Sequence, residues 1–218
     1  MTLALFDLDN TLLKGDSDYQ WGEFLVRKGL VDAQQHAETN KRFYGQYTNG
    51  SLNIHEYAAF TFKFLSAHSM EQLDQWRQEY MQEDIHKMIP DAARALVEQH
   101  RALGHTLVII TATNSFVTRP IATEFGIENL LAVEPKIVNG RYTQEIDGIP
   151  TFREGKIERL KQWLQGRSET LTGSYFYSDS HNDLPLLEIA DYPVAVDPDD
   201  TLRARAEAQG WPIISLRS

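Results

Sequence analysis

Two aspartates separated by one residue follow a short apolar run near the start of the chain. Residues 3–6 are apolar, and Asp7 and Asp9 come next. Carboxylates this close repel each other unless a cation, a shared proton or solvent lies between them. Mg²⁺ is a suitable partner because it takes oxygen ligands and often binds beside a phosphoryl group. The pair therefore predicts magnesium-assisted phosphoryl chemistry, and the alternative is a surface turn in which Asp9, Asn10 and Thr11 only end a strand.

Three later segments carry residues of the kinds that bind phosphate and metal. The apolar run 107–110 ends at Thr111, whose hydroxyl would face an anion together with the amides of a following helix; the alternative is a simple helix cap. Asp179 and Asp183 follow a second apolar run and add carboxylates for a cation. Lys156 begins a predicted helix and would balance this negative charge, unless it is an ordinary solvated lysine.

These residues can meet only if the strands before them lie side by side. After Pro90 the sequence alternates between helical and strand patterns, which predicts an α/β fold with a doubly wound, mostly parallel sheet. The carboxyl ends of such strands share one edge, where ligands bind. The predicted strands cover residues 3–6, 105–111, 130–133, 174–178, 192–196 and 211–215, and Asn139-Gly140 predicts a hairpin turn.

The intervening segment, residues 15–89, reads as helix almost throughout. Apolar residues at helical spacing predict four helices, and Gly29, Asn49-Gly50 and Pro90 interrupt or end the pattern. We therefore expect one core domain made of residues 1–14 and 90–218, with a small helical domain of residues 15–89 inserted after the first strand. Large aromatic side chains in this insertion would line a pocket or, as we favour, form its core. They are Trp21, Phe24, Trp76 and Tyr80.

Composition excludes several classes of function. The 218-residue chain has 31 acidic and 21 basic residues and a formal net charge of −10, which argues against a nucleic-acid partner. It has no cysteine, so disulfides, thiolate nucleophiles and zinc–thiolate sites are excluded. Asp7 lies too close to the start for a signal peptide ahead of it, and no apolar stretch reaches the roughly 20 residues of a membrane helix. We expect a cytoplasmic protein with no membrane partner, as a monomer or a homodimer.

Taken together, these segments resemble the haloacid dehalogenase superfamily of phosphohydrolases. The helical insertion directly after the first motif is similar to the cap of its phosphoserine-phosphatase-like branch, subfamily IB. The resemblance covers the whole predicted core and implies a Rossmann-like sheet with an α-helical cap. The four motifs are matched in order by Asp7-Leu8-Asp9-Asn10-Thr11, by Thr111, by Lys156, and by Ser178-Asp179 through Asp183.

The resemblance implies a Mg²⁺-dependent phosphomonoesterase that acts on a small phosphorylated metabolite. Asp7 would be the nucleophile and form an aspartyl-phosphate, while Asp9 would protonate the leaving alkoxide and then activate water. Mg²⁺ would be bound by Asp7, the Asp9 carbonyl and Asp179, with Asp183 supporting these ligands. The phosphoryl oxygens would be bound by Thr111, Lys156, Asn182 and the backbone of Leu8, Asp9 and Ala112.

The substrate prediction depends on the start of the cap. Asp16 and Glu23 lie where the chain leaves the core, and the resemblance implies that an acidic residue near Asp16 meets a substrate amine. This favours an amino-alcohol phosphate, with histidinol phosphate first and phosphoserine second; Arg42 would bind a carboxylate if the substrate has one. The alternative is that these acids only cap or solvate the first helix. Residues 111–113 read Thr-Ala-Thr where phosphoserine phosphatases carry a Ser-Gly-Gly type motif, which speaks against phosphoserine, and Ser178 replaces a frequent glycine.

Two other functions use the same acidic residues. A phosphotransferase such as a mutase would pass the phosphoryl group from Asp7 to a sugar hydroxyl instead of water. A non-catalytic module that accepts a phosphoryl group, like a receiver, also holds Mg²⁺ with acidic residues on a doubly wound sheet. Receivers lack the second carboxylate, here Asp9, and the long helical insertion.

Overall fold

A seven-stranded sheet lies at the centre of the protein, whose computed structural model describes residues 2–217. The strand order is β4-β3-β2-β1-β5-β6-β7, and every neighbouring pair is parallel except β3 and β4. This confirms the predicted α/β class with a mostly parallel sheet. The strands are β1 Leu3–Phe6, β2 Thr106–Asn114, β3 Asn129–Val138, β4 Arg141–Asp147, β5 Tyr175–Ser178, β6 Tyr192–Val196 and β7 Ile213–Ile214.

The chain between β1 and β2 forms helices, although these two strands are neighbours in the sheet. They are α1 Ser17–Arg27, α2 Ala33–Thr48, α3 Ile54–Ala67, α4 Met70–Tyr80 and, after a wide turn at Met81–Ile85, α5 His86–Met88. We propose to treat residues 15–89 as the cap and the rest as the core. The core helices are α6 Asp91–Ala102, α7 Ser115–Glu124, α8 Glu154–Leu164, α9 Leu184–Leu187 and α10 Asp200–Gln209.

The cap helices begin at polar residues that accept hydrogen bonds from the first free N–H groups of each helix. Asp16, Asp32 and Asn53 cap α1, α2 and α3 in this way. Ser69 caps α4 and forms a reciprocal capping box with Gln72. These caps explain why short helices start at fixed points within an otherwise continuous helical pattern. Among residues 2–217, no helix is long and apolar enough to cross a membrane.

Side chains of the central strands alternate between two apolar layers. Ala4 and Phe6 join the layer that includes the cap helices, whereas Leu3 and Leu5 join the layer under α8, α9 and α10. All four are fully buried, so β1 is covered on both faces. This double burial explains the continuous apolar run before Asp7 and fixes the direction in which Asp7 leaves the sheet.

Two strands extend beyond their predicted ends. β2 continues through Asn114, so Thr111 lies within the strand rather than at its last residue. β3 runs to Val138 because it continues into a hairpin with β4, and Asn139 and Gly140 turn the chain with φ of 51° and 73°. The predicted hairpin is therefore confirmed, and its first strand is longer than the apolar run alone indicated.

Candidate active site

The end of β1 places Asp7 between the ends of its two neighbours, β2 and β5. The backbone N–H of Asp7 donates to the carbonyl of Tyr177 on β5 at 2.9 Å. Register pairs Phe6 with Ile109 on one side and Tyr177 on the other. Parallel pairing thus brings three distant segments to one edge of the sheet.

Lys156 forms a buried ion pair with two of the predicted carboxylates. Its Nζ lies 2.8 Å from Oδ1 of Asp7 and 2.7 Å from Oδ2 of Asp183, and only 2% of Lys156 is exposed. Ser178 Oγ also donates to Asp183 at 2.7 Å. Burial by itself would lower the pKa of Lys156, but the charges of Asp183 and Asp7 raise it above its usual value. The ammonium group therefore stays charged and offsets the negative charge of both acids.

Asp7 and Asp179 face each other across one hydroxyl group. Thr11 Oγ1 lies 3.1 Å from Oδ1 of Asp179 and 3.4 Å from Oδ2 of Asp7, and it accepts the backbone N–H of Asp179 at 3.0 Å. Burial raises the pKa of Asp7 to about 7, with Lys156 opposing that rise. Burial and then the charge of Asp7 raise the pKa of Asp179 well above its usual value.

This pair of carboxylates suits a hard divalent cation. Within residues 2–217, no three His, Cys, Asp or Glu side chains are grouped to bind a metal, so the side-chain donors on offer are the oxygens of Asp7 and Asp179. Mg²⁺ is commonly held by one or two carboxylates and water. A cation between them would also stabilise the charged forms of both carboxylates, which burial disfavours.

Asp9 points to the other side of the strand end and is held at both oxygens. Oδ1 accepts the backbone N–H of Ser17 at 2.6 Å, and Oδ2 accepts the hydroxyl of Thr113 at 2.7 Å. Thr111 Oγ1 lies 3.5 Å from the same Oδ2. Burial, followed by the nearby charge of Asp16, raises the pKa of Asp9 to about 6. A carboxyl group that titrates near neutral pH and is fixed in orientation suits acid–base chemistry.

The predicted phosphate-binding residues fall into two groups. Asp9, Thr111, Ala112, Lys156 and Asn182 line the cavity between this sheet edge and the cap. Leu8 does not, and its side chain is fully buried in the apolar core, so only its backbone is available to a ligand. Sequence reasoning did not select Thr113, although its position two residues after Thr111 on a strand places both side chains on one face.

A cavity of about 590 Å³ lies between this sheet edge and the cap. The core contributes a polar floor, and the cap contributes a wall of mixed aromatic, apolar and acidic character. The floor includes Asp7, Asp9, Thr111, Thr113, Lys156, Asn182 and Asp183. The cap wall includes Asp16, Tyr19, Glu23, Asn40, Lys41, Phe43, Tyr44, Tyr47, Leu52, Ile54 and Tyr57.

The structure separates the predicted substrate residues. Asp16 and Glu23 both line the cavity. Asp16 also caps α1, so its predicted alternative role as a helix cap does not remove it from the cavity. Arg42 is not part of the lining because its exposed guanidinium lies over the ring of Phe43, 4.5 Å from the centroid. The preceding residue, Lys41, lines the cavity instead. Sequence spacing alone could not distinguish the two faces of this largely polar helix.

The large aromatic residues of the cap take the structural role that we favoured. Trp21, Phe24 and Tyr80 are buried in the apolar core, and Trp76 packs against them. Trp21 stacks on Phe24 at 5.4 Å. The aromatic part of the cavity wall comes instead from Tyr19 on α1, from Phe43, Tyr44 and Tyr47 on α2, and from Tyr57 on α3.

A buried carboxylate ties the cap to the core beside the cavity. Asp18 accepts the hydroxyl of Tyr57 on α3 at 2.5 Å and the side-chain amide of Asn114 at 3.0 Å. The same Asn114 caps α7 by accepting the N–H of Val117 at 3.2 Å. Burial raises the pKa of Asp18 to about 6. Asp18 therefore connects α1, α3 and α7 at one point.

Residues 4–188 match the haloacid dehalogenase-like hydrolase family. The chain is also 43% identical over 219 residues to a histidinol-phosphatase of Neisseria meningitidis serogroup C (strain 8013), with 99% of each chain covered. The chain belongs to the haloacid dehalogenase-like hydrolase family. The predicted membership and the prediction of a phosphoric monoester hydrolase are confirmed.

Two solved structures share the fold of this chain. A protein of unknown function from Bordetella pertussis Tohama I superposes with a TM-score of 0.93 and 45% identity, covering 99% of this chain and all of that one. A phosphoserine phosphatase solved as an analogue of the phospho-aspartyl intermediate has a TM-score of 0.71 at 16% identity, covering 99% of this chain and 93% of that one. The fold is thus shared at low sequence identity.

Proposed function

We propose that the protein hydrolyses histidinol phosphate through an aspartyl-phosphate on Asp7, with Mg²⁺ bound at the same edge of the sheet. The observation that carries this proposal is the position of Asp7. It contacts Lys156 at 2.8 Å and shares the Thr11 hydroxyl with Asp179, at the floor of a cavity whose opposite wall holds Asp16 and Glu23. The whole-length similarity to a histidinol-phosphatase gives independent support.

The reaction divides between the two aspartates of the first motif. A carboxylate oxygen of Asp7 forms a bond to phosphorus while the bond between phosphorus and the substrate oxygen breaks. Asp9, whose pKa of about 6 keeps a proton available near neutrality, protonates that departing oxygen. Asp9 then takes a proton from the water that attacks phosphorus, so that inorganic phosphate leaves and Asp7 is restored.

The charge of the phosphoryl group is balanced by residues of the core. Mg²⁺ bound by Asp7, Asp179 and the Asp9 carbonyl would supply positive charge to the phosphoryl oxygens. Lys156 adds a fixed cation, and Thr111 and Asn182 add hydrogen-bond donors. Asp183 stays bound to Lys156 and Ser178, so it orients the lysine from behind.

The cap wall favours a substrate with a cationic amine and a ring over one with a carboxylate. Asp16 and Glu23 offer negative charge to an ammonium or imidazolium group, and Tyr44 and Tyr57 offer ring faces. Lys41 is the basic side chain of the described cap wall, and it is exposed. Phosphoserine would need a cation held in place for its carboxylate, and an exposed lysine supplies only weak, solvent-screened charge, so we place histidinol phosphate ahead of it.

Phosphate release from a panel of phosphomonoesters tests the proposal. We expect the highest kcat/KM with histidinol phosphate, a lower value with phosphoserine, and no turnover after chelation of Mg²⁺. Glu23→Gln should lower kcat/KM for histidinol phosphate by about tenfold, since a charge-assisted contact is lost, and leave glycerol phosphate unaffected. Glu38→Gln is the matched control because Glu38 is exposed on α2 and outside the cavity lining.

Two results would overturn the proposal. Equal kcat/KM values across the panel would rule out recognition of the amine. Transfer of the phosphoryl group to an added sugar, in preference to release of inorganic phosphate, would identify a phosphotransferase.

A further inference from the structure

The end of α2 contacts two separate loops of the core. The hydroxyl of Tyr47 lies 2.9 Å from Ser180 Oγ, in the loop after β5. Its ring centroid lies 6.2 Å from that of Phe152, in the loop before α8. These loops carry Asp179 and Lys156, so one cap side chain reaches both segments that form the floor of the site.

Ser180 transmits this contact to Asn182. Its hydroxyl oxygen accepts the backbone N–H of Asn182 at 3.2 Å and lies 3.4 Å from the side-chain nitrogen of Asn182. Both residues are buried, at 6% and 4% exposure. A shift of Tyr47 would therefore remove the support of a residue that lines the phosphate end of the cavity.

Arg153 makes the reciprocal contact from the core. Its Nε donates to Oδ1 of Asn182 at 3.0 Å, and its guanidinium lies against Gly50 in the cap, where an added Cβ would come within 2.6 Å of Nη2. Arg153 itself has φ 52° and ψ −123°, a region that favours glycine. Strain of this kind persists where surrounding contacts over-determine the conformation, often beside functional sites.

We propose that Tyr47 and Arg153 are positioning residues for phosphoryl transfer. Together they hold the cap against the core and fix Asn182 and the Asp179–Asp183 loop in the arrangement that binds the phosphoryl group. Neither side chain takes part in bond making. The inference depends on the proposed function for its kinetic readout, because that readout is phosphate release.

Three single variants test the positioning role in the full-length protein. Tyr47→Phe removes one hydrogen bond and should lower kcat about fivefold, with KM changed less than twofold. Gly50→Ala should lower kcat by at least as much because the new methyl group displaces Arg153. Its matched control is Gly29→Ala, since Gly29 has a similar φ of 69° but open space around its Cβ position. Arg153→Gly removes the side chain and relieves the backbone at once.

The double variant separates positioning from general destabilisation. In the Arg153→Gly background, Gly50→Ala should cause no greater loss of kcat than Gly29→Ala does, because the clash is gone. Additive losses, or equal effects of Gly50→Ala and Gly29→Ala in the wild-type background, would overturn the proposal.

Hydrogen–deuterium exchange keeps this test separate from the proposed function. Gly50→Ala and Tyr47→Phe should speed amide exchange in residues 179–183, whereas Gly29→Ala should not. If the wild-type protein releases phosphate from no phosphomonoester, the proposed function fails and exchange alone decides the positioning role. Unchanged exchange in residues 179–183 of both Gly50→Ala and Tyr47→Phe would then refute the positioning role.

Discussion

The two halves of the cavity differ in how their side chains are held. On the core side, Asp7, Lys156 and Asp183 are almost completely buried and each contacts a charged partner within 2.8 Å. On the cap side, Tyr44 is 71% exposed, and Glu23 lies half-buried on α1. The difference supports our proposal that the chemistry uses the preorganised charge network of the core. In that proposal, selectivity resides in the more open cap surface, whose residues can change without altering the core network.

Replacing Asp7, the proposed nucleophile, should have the largest effect on activity. We expect Asp7→Asn to lower kcat by roughly a thousandfold or more, because the amide cannot form the covalent intermediate. Its thermal midpoint should change little, since Asn has nearly the same shape and Lys156 keeps Asp183. The measurement is phosphate release together with acid-quenched trapping of phosphate on the protein. Substantial turnover, or trapped phosphate, in Asp7→Asn would place the nucleophile elsewhere.

This contrast also explains which residues the sequence could predict. Asp7 and Asp179 each follow a strand, Thr111 lies near the end of one, and Lys156 lies in the first turn of a helix. They were predictable because parallel strands bring their ends to one edge whatever the distance along the chain. The residues of the cap wall could not be predicted in this way. Lys41 and Arg42 are neighbours on a mostly polar helix, and only the docking of α2 decides which one faces the cavity.

Residues that connect the cap to the core were harder still to predict from the sequence. Tyr47 and Arg153 lie outside the recognised motifs, and their roles come from contacts with Ser180, Asn182 and Gly50. The positive φ of Arg153 has no sequence signal because glycine is the residue that usually marks such a turn. Tertiary packing, not local pattern, fixes these positions.

Removing the buried cation should have the largest effect on stability. Lys156→Met leaves Asp7 and Asp183 buried without a basic partner, so we expect the free energy of unfolding to fall by about 3 to 5 kcal/mol. Lys161→Met, at an exposed position of the same helix, should change it by less than about 0.5 kcal/mol. Denaturant unfolding of the three proteins provides the comparison. Equal stability of Lys156→Met and Lys161→Met would show that the core network is not preorganised as described.

The Asp18 contacts that connect the cap to the core should contribute less to stability than the Lys156 ion pairs do. Asp18→Ala leaves the Tyr57 hydroxyl and the Asn114 amide without their shared acceptor, which should cost about 2 kcal/mol of stability. Asp18→Asn keeps one acceptor and should lose clearly less. Unfolding midpoints of both variants, with kcat for each, show whether these contacts also serve catalysis. If Asp18→Ala were as stable as wild type, the Asp18 contacts would contribute nothing to holding the cap against the core.

His100 is a buried histidine outside the cavity lining, and its replacement should have the smallest of these effects on stability. His100 contacts His105 and the hydroxyl of Tyr177, both at 2.8 Å, and packs edge-on against Phe6 and Tyr175. Burial, then the charge of His105, lowers the pKa of His100 from 6.5 to about 4. Between these two values the unfolded chain binds a proton that folded His100 does not. Stability from this residue is therefore complete above pH 6.5 and is lost as the pH falls towards 4.

The prediction is made as a difference between two proteins. Carboxylates with raised pKa values, such as Asp7 and Asp9, act in the opposite direction, but they are common to wild type and His100→Gln and cancel. We expect the stability advantage of wild type over His100→Gln to shrink by about 1 to 2 kcal/mol between pH 7.5 and pH 5. Urea unfolding at the two pH values measures it. A constant difference would mean that His100 accepts a proton in the folded state as readily as in the unfolded chain, and the pH dependence of stability would then arise from the carboxylates of the cavity.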